Sequence, residues 1–174
     1  IIVQQEELSG EEDEELLEQR MLSFGDIKAL KAIVPVAESV VPVTEREYDA
    51  AYEAQNEEVK LTGTVPEYFQ LMNLWIAQGG YFSHLDNTTY QRVCVLGADI
   101  ARSLFKVHNP LNKMIKIDKV WFRVIGVLKY QPVSVAGTQK VDLNSNIFAP
   151  INTVNIRFDR DVTEGILEQI VVRV

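Results

Sequence analysis

Apolar and polar positions alternate along this chain at two different periods. Period 2 marks half-buried strands. Val41, Val43 and the Tyr48 side alternate with polar residues, and Val59, Leu61 and Gly63 resume the alternation. With Gln55 and Asn56 as the turn, this predicts two strands. Met114, Ile115 and Ile117 form one arm of a predicted hairpin that turns at Asp118 and Lys119. In the other arm, which reaches Tyr130, Val120, Phe122 and Val124 alternate with Trp121, Arg123 and Ile125. Continuous apolar runs predict buried strands in "RVCVLG" and "NIFAPI". "IIVQQ" and "ILEQIVVRV" read as strands at the two ends, and "LWIAQGGYF" as strand then turn.

Period 3.6 appears in three places. Ile27, Leu30, Ile33 and Val34 give an apolar stripe with Ser23 as N-cap, Asp26 three residues on, and Pro35 as the stop. Thr64 as cap, Pro66 in the first turn and Glu67 near the positive end of the dipole predict a short helix. "ADIARSLF" predicts a helix with Ile100, Leu104 and Phe105 inward. The acidic run at residues 11–15 reads as the first turn of a helix after Ser9, with its charges solvated. It lacks the spaced oxygen ligands and Gly of a calcium loop. "SHLDNTTYQR" reads as a polar loop, "KVHNPLNK" as a turn, and the text from Tyr130 to "NIFAPI" as loop. "NTVNIRFDRDVTEG" matches neither period, and no internal repeat is evident.

Composition narrows the class. The 174 residues are 47% hydrophobic and 24% charged, enough apolar matter for a packed core. Net charge is −8, and no basic cluster interrupts the acidity. Such a surface repels phosphate backbones and anionic headgroups, so nucleic acid is excluded as a direct ligand. No segment approaches the ~20 apolar residues of a membrane helix. The opening Ile1, Ile2 and Val3 and the close on a bare strand read as the cut ends of a longer chain.

Candidate chemistry is thin. "CVLGADIARSLF" runs from a strand through Gly97 into a helix, as nucleotide-binding turns do. The dinucleotide fingerprint needs three spaced glycines and the phosphate loop a Gly-Lys-Ser/Thr ending, and both are missing. Asp99 places a carboxylate where an anion would sit and is expected to satisfy the helix end itself. Cys94, the single cysteine, lies beside Val93, Val95 and Leu96 and reads as a buried small hydrophobe. His84 near Asp86 is the best acid–base pair, without a nucleophile, and His108 sits in a turn beside Asn109 and Pro110. No catalytic, cofactor-binding or metal-ligating residue is assigned, and no cofactor.

The ordered words themselves resemble a family. "LSFGDIKALKAI.P.AESVVPV", "VKLTGTVPEYFQLMNLWIAQGGYF", "RVCVLGADIARSLF", "NPLNKMIKIDKVWFRVIGVLK" and "IFAPI" follow one another as in the periplasmic core domain of MacB-type (FtsX-like) ABC transporter permeases. Gly80 stands where the family has Arg, Asn109 where it has Asp, and Asn112 where it has Gly before Lys113. The resemblance implies an α+β fold: a mixed-sheet base subdomain with βαβ-type units, over residues 1–42 and 92–174, and an inserted upper subdomain over 43–91. It implies a non-enzymatic periplasmic segment of a cell inner membrane protein, anchored through flanking helices. Its work would be transmitting ATP-driven conformational change in efflux, lipoprotein release or envelope signalling. The implied partners are a second permease subunit and a cytoplasmic ATP-binding subunit, together with a periplasmic adaptor, outer-membrane component or hydrolase. A free-standing extracytoplasmic protein-binding module is the alternative.

Overall fold

The longest strand, β3 (Ser39–Tyr52), folds back on β4 (Gln55–Thr64) with Tyr52 opposite Gln55. Glu53 and Ala54 make the turn, and Glu53 takes φ 52. The expected turn at Gln55 and Asn56 is therefore two residues late. Asn tolerates a left-handed backbone better than most residues and drew the expectation there, but the register places Glu53 in that conformation instead. The computed structural model describes the backbone of residues 2–4, 22–23, 39–132, 134–136, 139–158, 166–167 and 169–173, and side chains within 41–132 and 142–158. The helices expected after Ser9 and Ser23 lie outside these residues, although Ser23 itself ends the short strand β2 (Leu22–Ser23).

The remaining strands are β1 (Ile2–Gln4), β5 (Ile76–Gly79), β6 (Val93–Leu96), β7 (Met114–Ile117), β8 (Val120–Leu128), β9 (Ser134–Ala136), β10 (Gln139–Val141), β11 (Asn146–Pro150), β12 (Ile166–Leu167) and β13 (Gln169–Arg173). Among the described residues, one nine-stranded sheet runs β1-β13-β3-β4-β11-β6-β8-β5, and β7 bridges β8 to β3. That bridge closes a ring of pairings, β3–β4–β11–β6–β8–β7 and back to β3. The pairs β4/β11 and β6/β8 are parallel and the others antiparallel, so the sheet is mixed and the class is α+β as expected. No helix of the described residues is long and apolar enough to cross a membrane.

Four helices are described: α1 (Glu67–Leu71), α2 (His84–Thr88), α3 (Ala98–Phe105) and α4 (Ile151–Phe158). Thr64 does not cap α1; its hydroxyl donates to the Pro42 carbonyl at 3.0 Å, and Pro66 takes the N-cap position without a side-chain bond. The polar stretch read as loop contains α2. Ser83 and Asp86 form a reciprocal capping box there, the signal being a Ser followed three residues later by an acid. The stretch that matched neither period begins with α4. The segment after Tyr130, read as loop, holds the β9/β10 pair, whose three-residue strands are too short for alternation to show.

Strand alternation sorts the core into two clusters. Cys94, Leu96, Ile147 and Ala149 join Leu61, Phe122 and Ile117 in one, with α3 contributing Ile100, Leu104 and Phe105. Their neighbours Val93, Val95 and Phe148 point the other way, to Phe69, Phe82 and Leu128. Full burial of each Val, Leu, Ile or Phe side chain among them contributes about 1.5–3 kcal/mol. The packing links residues on either side of positions 43 and 91. β3 begins before residue 43, β5 from between these positions pairs with β8 from beyond them, and both clusters draw on both parts.

Candidate functional site

At the strand–helix turn, Gly97 is the N-cap of α3 in an extended conformation, and its N–H donates to the Asn146 carbonyl at 2.9 Å. A Cβ at this position would fall on the Asn144 carbonyl oxygen, well inside contact distance. That same oxygen accepts from the N–H groups of Asp99 and Ile100 at 3.1 and 3.3 Å. The amides a phosphate would need are therefore already engaged by the protein's own backbone. Contrary to the expectation from its position, Asp99 does not satisfy the helix end; its carboxylate pairs with Arg102 at 3.0 Å. The carbonyl does that work instead, because Asn144 is itself fixed. Its side chain accepts from Gln131 N–H at 2.8 Å and donates to the Gln131 carbonyl at 2.7 Å, while Asp142 receives its N–H at 2.9 Å.

Cys94 is fully buried, and desolvation pushes its thiol well above the ordinary range, which suppresses the nucleophilic thiolate. His84 and Asp86 do not form a dyad. Their side chains diverge, because Asp86 is held by Ser83 while His84 Nε2 lies 2.8 Å from Glu67 Oε1 on α1. His108 lies exposed in the turn after α3. Two departures from the family pattern keep the geometry of that turn. Asn109 Oδ1 accepts from Leu111 N–H at 3.0 Å, as an Asp would, and Asn112 takes φ 62, which glycine adopts most easily. Gly80 faces open space, so packing does not demand a glycine there. Among the described residues, no group of three or more His, Cys, Asp and Glu is placed to hold a metal ion.

Two clefts are formed by described residues. One, of about 540 Å³, is walled by Phe69, Leu74, Trp75 and Tyr81, whose hydroxyl donates to the Leu74 carbonyl at 2.7 Å. The other, of about 710 Å³, lies where α3 meets β8 and β5. Val107 supplies exposed apolar surface to it over a floor that includes the buried Ala101 and Val127; Arg102, Lys106, His108 and Lys129 bring positive or protonatable groups. The expectation that no basic cluster interrupts the acidity is thus corrected. These residues come from α3, the turn after it and the end of β8, and linear spacing hides their convergence.

Comparison with known proteins places this architecture. A family model described as the MacB-like periplasmic core domain matches residues 1–174. The macrolide export ATP-binding/permease protein MacB of Bdellovibrio bacteriovorus is 32% identical over 146 residues, 83% of this chain and 22% of that protein. The pyoverdine export ATP-binding/permease protein PvdT of Pseudomonas aeruginosa is 29% identical over 137 residues, 79% of this chain and 20% of that protein. The chain thus spans about a fifth of the length of these curated relatives. The crystal structure of the periplasmic region of MacB from Actinobacillus actinomycetemcomitans shares the fold with a TM-score of 0.73 at 24% identity, over 99% of this chain and 72% of that one. With the family match running from the first residue to the last, the chain belongs to the MacB-like periplasmic core domain family.

Proposed function

We propose that this chain is the extracytoplasmic domain of an ABC transporter permease subunit, lying in the periplasm outside the cell inner membrane. Its role is mechanical. A cytoplasmic ATP-binding subunit or domain hydrolyses ATP, two permease subunits respond as a pair, and this domain carries the movement outward for efflux, lipoprotein release or envelope signalling. It performs no catalysis and needs no cofactor. A periplasmic adaptor, an outer-membrane component or a hydrolase is the partner that receives the movement. The observation that carries the reading is the family match over the whole chain, supported by relatives whose names pair export with an ATP-binding/permease protein. We propose with it a base subdomain over residues 1–42 and 92–174 and an inserted upper subdomain over 43–91.

The test uses the full-length parent protein. Val107, 93% exposed, becomes a cysteine, and cross-linking between two copies is followed with and without ATP; Cys94 is buried and stays silent. The yield is expected to depend on nucleotide. A yield indifferent to nucleotide at Val107, Trp121 and Ile156 alike would remove the mechanical role. A parent gene without apolar spans of ~20 residues beside this segment would turn the reading toward a free-standing binding module.

A further inference from the structure

We propose that the cleft between α3 and the β8/β5 edge is a docking site for an acidic, extended segment of a partner protein. The chain carries a net charge of −8, yet no Asp or Glu lines this cleft. Lys106, Lys129 and Arg102 line it together with His108, and Tyr130 stands at its side with 56% exposure. Arg102 is engaged by Asp99, whereas Lys106 and Lys129 have no ion-pair partner among the described residues. Two unpaired ammonium groups in a cleft free of carboxylates attract an anion, and the acidity of the remaining surface directs an acidic partner to this one place.

The shape selects a polypeptide over a small anion. About 710 Å³ far exceeds one phosphate, and the exposed apolar side chain of Val107 rewards a ligand with aliphatic groups. Ala77 and Gln78, which also line the cleft, belong to β5, the last strand of the sheet. Its outer edge pairs with no strand among the described residues, and such an edge accepts an added strand through backbone hydrogen bonds. Gly79, at φ +78, turns the backbone and limits the addition to the residues before it. Carboxylates of the added segment meet Lys106 and Lys129, and an aliphatic side chain meets Val107 at the rim. The site depends on this surface alone and holds whether or not the domain serves a transporter.

The test is fluorescence anisotropy of the 174-residue chain with a labelled peptide of alternating Glu and Val. Binding is expected, weakening as salt rises from ~0.05 to ~0.5 M. The double substitution Lys106→Glu with Lys129→Glu is expected to weaken it about tenfold or more, with the melting temperature unchanged. Lys116→Glu with Lys119→Glu, at residues that do not line the cleft, is expected to leave it intact. Equal affinity in the two double variants overturns the proposal, as does equal binding of a Lys–Val peptide. Displacement of the peptide by equimolar inorganic phosphate assigns the site to a small anion and overturns the polypeptide reading. Lysine-dependent binding to phosphatidylglycerol vesicles, with no peptide binding, assigns it to a lipid surface and overturns it equally.

Discussion

Gly97 answers for its turn by what it lacks. With no side chain it lets the Asn144 carbonyl approach the start of α3 and accept two N–H groups there. Gly97→Ala forces that carbonyl away, a change of the overpacking kind that costs about 1–3 kcal/mol, read as a lower melting temperature. Cys94 makes a second prediction, about pH. Burial raises its folded pKa above the unfolded value of ~8.5, so the neutral thiol's stability is fully present below that pH and lost as pH rises above it. Tyr68, also raised chiefly by burial, adds its own loss only above ~10. Denaturant titration of Cys94→Ala is therefore expected to show a shallower decline in stability between about pH 8.5 and 10 than the parent; equal slopes would mean that the thiol is not desolvated.

Elements are joined here by polar side chains as well as by the core. The Asn87 side chain accepts from Asn152 N–H at 3.0 Å, and the Asn87 carbonyl accepts from the Asn152 side chain at 3.3 Å. Thr153 donates to the Gln91 carbonyl at 3.0 Å. These bonds tie α2 and the loop after it to the start of α4, so α2 depends on its cap to hold an end-to-end junction. Ser83→Ala removes the capping oxygen and is expected to cost about 1 kcal/mol in denaturant titration. Amide exchange across residues 84–91 should quicken with it, while β6 stays protected; protection unchanged in α2 would show that the cap is dispensable.

At the scale of the whole molecule, the ring of strands closes through a short contact, Ala50 opposite Ile117 and Ala51 opposite Lys116. Ile117 is fully buried and packs in the cluster that includes Phe122 and Leu61. Ile117→Ala leaves a cavity at the closure and is expected to cost about 2–5 kcal/mol. The loss should appear as a shift of one unfolding transition monitored by both circular dichroism and tryptophan fluorescence. Two separated transitions would show that β7 and β3 do not share a cooperative unit. The transport role proposed for the chain needs such a body, since a movement is passed on only by packing that resists local deformation.

Strand character at Val93–Leu96, Met114–Ile117 and Asn146–Pro150, and the helix at Ala98–Phe105, were legible from hydrophobic period, because burial of one face is a local property of the chain. Family membership was legible too, in the order of short words from "VPEYF" to "WFRVIGVL". The turn at Glu53 was not, since a tertiary register moved the left-handed residue off the Asn that favours it. The contact of His84 with Glu67 was not legible either, because it joins α2 to α1 while Asp86 beside it is held by the helix cap. The basic cleft was hidden for the same physical reason: Arg102, Lys106 and Lys129 become neighbours only when β8 returns beside β6 and brings its end under α3. Local burial wrote the elements and the family into the sequence, and long-range strand pairing decided that Lys129 meets the basic residues of α3 and the turn after it.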